Sequence, residues 1–498
     1  MLGLVAVAIL SGARFVALDA DPPLTAKNRV GSFFGDEGCW YKANVWQETR
    51  GHWHVPKQYN PAVVTPTLPI VAAGVQATTG MEAWPASRWS TAGLTVLGLS
   101  ALMWAVWRRG GVAPAVLTGL FVASSYLMWA YSRVSLLDAP ASALAVGGLA
   151  LLMGWPDKRP AWATVLAACL GFTAVLAKTT MLAVMPAYLV AAWMTASWPG
   201  TGHPDRGRPW RDALIVAGIG ASLLVAFGIV LLSVFAEDWS LFRRSNLRVN
   251  PNSGGTLQHF TSFVRATLET WPGLFFLAWL ALPVAWLSWR RTPASPWVLT
   301  LALWGVLMAG AVLYKGLAAP RYFVPLIWPA AVLSAFAVVG AWRSRHAAGR
   351  GAAVVLTFLG TITIGHDAVR SASSLSNLTY SFRDAGRDVR RVIGETADLD
   401  RAVIAGRWPT ESLGLVANLP TLDISCESLD GRSIEELGVQ YFACRPPLHD
   451  PRHADQTHIQ HIKAHYDAEL VAEYHVLPGY QTEPLPISLY RIRPRENP

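Results

Sequence analysis

Apolar residues gather into runs of about 17–22 positions through the first 365 residues and then cease to do so. A helix needs about 20 such residues to cross the hydrocarbon core of a bilayer. The pattern predicts eleven spans, approximately Leu2–Leu18, Trp89–Val106, Val112–Ala130, Ala139–Gly154, Ala161–Ala177, Met181–Trp198, Ala213–Ala236, Trp271–Trp289, Trp297–Tyr314, Phe323–Trp342 and Ala352–Gly365. From residue 366 the pattern changes to short alternating and amphipathic pieces. Ser381–Glu395 reads as an amphipathic helix, and Arg401–Ala405, Leu422–Ile424, Tyr441–Cys444, Leu470–Leu477 and Ile487–Ile492 read as strands. The expected fold is therefore a mainly α, polytopic transmembrane bundle over residues 1–365, followed by an extracytoplasmic α/β domain over 366–498.

Charge orients the bundle. With the amino terminus in the cytoplasm, the short inner loops carry Arg108-Arg109, Lys158-Arg159, Arg206/Arg208/Arg211, Arg290-Arg291 and Arg343/Arg345/Arg350. All are basic, as expected of cytoplasmic loops. The first span has no basic flank and could be mistaken for a signal peptide, but Arg14 and the lack of a clean small-residue cleavage site favour a retained anchor. The outer side then holds a long first loop (19–88), short turns at Tyr131–Asp138, around Lys178 and at Lys315–Arg321, a second long loop (237–270), and the tail.

Composition agrees. The 498 residues are 52% hydrophobic and 15% charged, unlike a soluble protein of this length. Many of the 23 tryptophans fall at run ends, among them Trp104, Trp107, Trp155, Trp193 and Trp342, where an amphipathic ring favours the headgroup layer. The tail holds 14 Lys/Arg against 19 Asp/Glu, whereas the preceding 365 residues hold 27 against 13. Basicity belongs to the membrane part. It suits anionic lipids and phosphate-bearing substrates, and nothing in it suggests nucleic acid. Of the four cysteines, Cys169 lies in an apolar run, and Cys426 and Cys444 read either as a bridge or, more often in such a pattern, as unpaired thiols.

The chemistry-bearing residues collect on the outer face. Asp36-Glu37 opens the first loop. Arg133 and Asp138 flank a short turn, Lys178 ends a span, Arg243, Arg244 and Arg248 lie in the second long loop, and Arg321-Tyr322 leads another span. Ionisable groups at membrane depth are costly and usually functional. Acid and base on one face is what an anionic lipid-linked donor and a proton-accepting carboxylate would require.

These residues carry a resemblance. Asp36-Glu37-Gly38-Cys39-Trp40, the following Gly51-His52-Trp53, Asn60-Pro61 and Pro66, Tyr131-Ser132-Arg133 with Leu136-Leu137-Asp138, and Arg321-Tyr322-Phe323 with Pro325 resemble the GT-C glycosyltransferases. The nearest branch is the protein mannosyltransferase and aminoarabinose transferase group, families 39 and 83. The resemblance covers the chain to about residue 365.

It implies an inverting transfer from a polyprenyl-phosphate sugar to a hydroxyl on a protein, lipid or glycan acceptor, at the outer face of a bacterial cell membrane. Asp36 would be the general base and Glu37 would orient the acceptor or the sugar. Lys178, Arg321 and Tyr322, helped by Arg243 or Arg244, would meet the lipid phosphate. Arg133 and Asp138 would pair with each other or fix the helix end. Relatives differ in whether they need a divalent cation, and the sequence shows no ligand set for one.

Plainer readings stand beside these. Asp36-Glu37 suits a helix start, Lys178 a snorkelling lysine, Arg243/Arg244/Arg248 a solvated loop face and Arg321 an interfacial anchor. His52-Trp53-His54 lacks a third ligand, and His458, His461 and His465 suit a solvated helix better than a zinc face. Asn377-Leu378-Thr379 matches a common sequon. A transporter or lipid flippase would also show many spans. It would be expected to show repeats and polar residues midway through them, which are scarce here. A non-catalytic assembly protein whose tail binds a partner is a third reading.

Overall fold

The computed structural model describes the chain except residues 22–32, 55–59, 156–158, 198–209, 237–238, 241–260, 262–263, 265–271, 291, 293, 315–319, 397–398, 407–409, 424–433, 435, 445–456, 477–484 and 496–498. Its helices are α1 (Leu2–Gly12), α2 (Phe33–Arg50), α3 (Pro61–Val64), α4 (Thr67–Thr79), α5 (Ala83–Gly110), α6 (Val112–Ser124), α7 (Tyr126–Ser132), α8 (Asp138–Met153), α9 (Ala161–Ala177), α10 (Met185–Ser197), α11 (Trp210–Val234), α12 (Pro272–Trp289), α13 (Ser295–Tyr314), α14 (Val324–Trp342) and α15 (Ala347–Ser376). The C-terminal part adds α16 (Ser381–Thr396), β1 (Ile404–Gly406), α17 (Thr410–Ala417), β2 (Thr421–Asp423), β3 (Tyr441–Cys444), α18 (Thr457–His465), β4 (Tyr466–Val476) and β5 (Leu485–Pro494).

Among the described residues, five helical segments are long and apolar enough to cross a membrane: Ala83–Gly110, Trp210–Val234, Ser295–Tyr314, Arg321–Trp342 and the segment that begins at Ala347. α6 and α7 add a sixth if the pair, bent by 63°, is one span. Leu2–Phe15, Asp138–Met153, Ala161–Ala177, Thr179–Met194 and Leu277–Trp289 are apolar but shorter.

α14 is the axis of the bundle. Every residue from Val324 to Ala341 is buried, as expected of a helix that is apolar all round. It packs against α6, α8, α12, α13 and α15. Small residues allow close crossings, as membrane bundles require. A Cβ on Gly98 of α5 would stand 2.7 Å from the Cβ of Ala143 on α8, so these two helices, which carry site residues, depend on that glycine.

The sheet has the order β2-β1-β3-β5-β4. β1 is parallel to β2 and β3, and β5 runs antiparallel to β3 and β4. α16 is strongly amphipathic and buries Phe382, Val389 and Ile393. The expected strands are all present, with ends shifted by up to four residues.

Two expectations need correction. The first outer loop is not a loop: α2, α3, α4 and the start of α5 lie within 19–88. α2 escapes a hydropathy reading because its polar side chains find partners far along the chain instead of water. The helix that holds the last expected span is also longer than Ala352–Gly365, since α15 runs unbroken from Ala347 to Ser376.

Candidate functional site: an acid-pair helix beside a cation cluster

α2 begins three residues before Asp36 and carries the Asp36-Glu37-Gly38 segment in its first turns. Glu37 is buried. Arg88 on α5 grips it with both arms of its guanidinium, Nε to Oε1 at 3.0 Å and an Nη to Oε2 at 2.8 Å, and the Ser135 backbone N–H donates to Oε1 at 2.5 Å. The other Nη of Arg88 donates to the carbonyls of Leu18 and Ala20, at 2.6 and 2.5 Å, and the guanidinium lies over the Trp84 ring. A planar five-donor fork can satisfy a carboxylate and two carbonyls at once, which an ammonium cannot. One turn along α2, burial pushes the Tyr41 phenol well above its ordinary value, so Tyr41 stays a neutral neighbour of Glu37.

The turn between α7 and α8 links this pair to a second cluster. Residues 132–138 are all buried. Ser135 in that turn meets Glu37, and Ser87 Oγ lies 2.5 Å from Ser135 Oγ. Three positions on, Asp138 opens α8 and forms a salt bridge with Lys178, the residue that ends α9. Three residues span at most about 10 Å, so the Glu37 contact and the Lys178 contact belong to one small region. The Lys178 ammonium sits 4.8 Å from the centroid of the Tyr322 ring, and Arg321 lies over the same ring at 5.0 Å and donates to the Tyr322 hydroxyl at 3.0 Å. Lys178, Asp138, Tyr322 and Arg321 thus come together from three separate helix ends, with the Lys178 side chain only 13% exposed.

Of the two roles the sequence offered, pairing with Asp138 or fixing a helix end, Arg133 takes the second. Its guanidinium donates to the carbonyls of Ala13, Arg14, Val16 and Ala17, beyond the end of α1, and stacks over Trp129. Arg14 reciprocates, donating to the carbonyls of Val122 and Ala123 at the end of α6 and to Ser132 Oγ. Each arginine thus donates to carbonyls near a helix end, where the helix ladder leaves acceptors open. Asp138 takes Lys178 because both stand at helix ends on the same edge of the α8–α9 pair.

Arg243, Arg244 and Arg248 lie outside the described residues, as does Cys426. Cys444 is a buried free thiol. His52 Nδ1 contacts its own loop at the His54 carbonyl, and His54 packs on Phe235. Among the described residues no group of three or more His, Cys, Asp or Glu could hold a metal ion.

Several site residues carry little signal in the sequence. Arg88 reads there as a loop terminus, although a lone cation between Trp84 and Trp89 at the head of an apolar run is a pattern that suits a buried partner. Ser135 meets Glu37 through its backbone N–H, which leaves no signal in the sequence. α17 of the C-terminal part lies directly against α2. The Gly38 N–H donates to Ser412 Oγ at 3.0 Å, and a Cβ on Gly38 would fall 2.1 Å from the Glu411 carbonyl carbon. Glycine is the residue that permits this approach.

No family model matches the chain, and no curated protein does. Solved structures do. ArnT from Cupriavidus metallidurans bound to undecaprenyl phosphate superposes with a TM-score of 0.65 at 15% identity, covering 98% of this chain and 97% of that one. The archaeal oligosaccharyltransferase AglB from Archaeoglobus fulgidus, in complex with an inhibitory peptide and a dolichol-phosphate, gives 0.54 at 14%, covering 89% and 69%. The arabinofuranosyltransferase AftD from Mycobacteria gives 0.53 at 12%, covering all of this chain and 40% of that one. From the axial helix to the C-terminal sheet, the chain has the fold of the GT-C membrane glycosyltransferases.

Proposed function

We propose that this protein transfers a sugar from a polyprenyl-phosphate donor to a hydroxyl acceptor at the extracytoplasmic face of the membrane, with inversion. The observation that carries the reading is the gathering of Lys178, Arg321 and Tyr322 beside the turn that also holds Glu37, within a fold shared with an ArnT bound to undecaprenyl phosphate. The basic short loops support eleven spans with a cytoplasmic amino terminus.

In this mechanism the acceptor oxygen attacks the anomeric carbon from the side opposite the phosphate. The Asp36 carboxylate takes the hydroxyl proton as the new C–O bond forms. The bond from the anomeric carbon to the phosphate oxygen breaks, and its electrons leave with the lipid phosphate. Lys178 and Arg321 stabilise that charge, and Arg243 or Arg244 are further candidates. Asp138 keeps Lys178 placed until the phosphate arrives. Glu37, expected from the sequence to orient the acceptor or the sugar, has both oxygens occupied by Arg88 and the Ser135 N–H and is assigned instead to fixing the backbone beside Asp36.

The test is a nanodisc-reconstituted chain supplied with lipid-linked sugars extracted from bacterial membranes. Formation of a glycosylated product is expected with the native sequence and not with Asp36→Asn. Turnover by Asp36→Asn near that of the native chain would reject the assigned base.

A further inference from the structure

α2 belongs to two cores at once. Tyr41 and Val45 lie in the large cluster that runs from the bundle into the C-terminal domain through Leu413 and Leu415 of α17, whereas Trp46 packs with Val403, Leu422 and Phe442 in a second cluster made otherwise of C-terminal residues. The Trp46 indole donates to the Thr421 carbonyl at 3.1 Å, and Arg50 donates to the Ala402 carbonyl at 2.9 Å. Nearer the acids, Lys42 is 3% exposed and pairs with Glu411 of α17 at 2.8 Å. The Gly38 N–H, two residues from Asp36, ends on Ser412 Oγ in a buried hydrogen bond. On the other side of the same peptide, the Glu37 side chain is fixed by Arg88. The backbone beside Asp36 is therefore clamped between the membrane bundle and the C-terminal domain.

We infer that the C-terminal α/β domain seats the acid-pair helix, with Ser412 and Glu411 of α17 as positioning residues for Asp36. This rests on the proposed role of Asp36. A buried ion pair is a poor source of net stability, but breaking one strands a charge, so Lys42 and Glu411 act as a register device between the two bodies. Rigid placement matters because proton transfer at the attacking oxygen depends on small displacements of the base. α17 need not touch substrate to act in this way.

The test uses the full chain in nanodiscs and the variants Ser412→Ala, Lys42→Glu, Glu411→Lys and the double exchange K42E/E411K. Hydrogen exchange of peptides covering residues 36–46 reads the seating. Affinity for undecaprenyl phosphate reads the cation cluster, and kcat and KM on extracted lipid-linked sugars read the chemistry. The single variants are expected to raise exchange in 36–46 about tenfold, to leave undecaprenyl phosphate affinity within about twofold, and to lower kcat at least tenfold at unchanged donor KM. K42E/E411K is expected to restore much of both losses, which a merely damaged fold would not do.

Unchanged exchange in every single variant would overturn the inference, whatever the turnover. Raised exchange with native kcat would overturn it too, while leaving the proposed reaction intact. A native chain that makes no glycosylated product from any extracted donor would instead count against the reaction and against α17 as a catalytic positioner, with exchange still deciding whether α17 seats α2.

Discussion

Arg88 and Glu37 form a two-pronged ion pair with both side chains at most 3% exposed, although 51 residues and the whole of α3 and α4 separate them in the chain. The pair ties the helix that carries Asp36 to α5, a long apolar helix of the bundle. Arg88→Ala would leave a buried carboxylate without its counter-charge, a change that costs about 3–5 kcal/mol. A clear fall in the thermal unfolding midpoint of the purified protein is expected. Arg88→Lys keeps the charge but not the fork and should fall between the two. A midpoint unmoved by Arg88→Ala would show that water reaches Glu37 freely.

The Lys178 ammonium faces both Asp138 and the Tyr322 ring. A phosphate seated there would gain a charge-assisted contact from Lys178. Lys178→Met is expected to weaken undecaprenyl phosphate binding at least about tenfold, or about 1.4 kcal/mol, in a native mass spectrometry titration. Asp36→Asn, in the same titration, should bind as the native chain does. Equal loss in both variants would overturn the proposed division of labour between acid and cation.

Asp21 bridges the first segment and the tail. Its carboxylate accepts from the backbone N–H groups of Ser381 and Phe382, at 2.8 and 3.0 Å, and from the hydroxyls of Ser381 and Thr379, both at 2.8 Å. This is a helix cap supplied from 360 residues away. Losing a capping carboxylate costs about 1–2 kcal/mol. Asp21→Ala should speed limited proteolysis around residues 377–400 while leaving cleavage in the membrane bundle unchanged.

Burial pushes the Cys444 thiol up to about 12 from an ordinary value near 9. In the folded protein it stays protonated at pH 8.5, where an exposed cysteine is already partly thiolate. Because the unfolded chain releases this proton first, its contribution to stability is complete below about pH 9 and declines as pH rises through the interval up to 12. Iodoacetamide at pH 8.5 should therefore modify Cys444 slowly, as followed by peptide mass spectrometry, and rapidly after denaturation. Fast modification of the native protein would contradict the burial.

The parts legible in the sequence are those fixed by local periodicity. Long apolar runs give away the bundle, and Tyr441–Cys444 is recognisable as a strand because a short apolar piece sits between turn residues. The illegible parts depend on distant partners. Lys42, Asn44, Glu48 and Arg50 make α2 look like a solvated loop, yet they meet Glu411, Gln76, Asn418 and Ala402. Asp138 could be expected to find a cation, but the choice of Lys178 over Arg133 is made by which helix ends meet. Asp36 stands out by its motif, whereas the clamp on either side of it does not.

The arginines that follow α1 and α7 also bear on how this corner of the bundle is held. Arg14 finds Ser132 only after 118 further residues have been synthesised, and Arg133 in turn closes the segment that follows α1. The Arg14 guanidinium also donates to the Leu10 carbonyl within α1 and to the Val122 carbonyl of α6, so one side chain joins three helices. α1 therefore cannot slide along its axis without breaking contacts with both α6 and α7, and this corner moves as one piece.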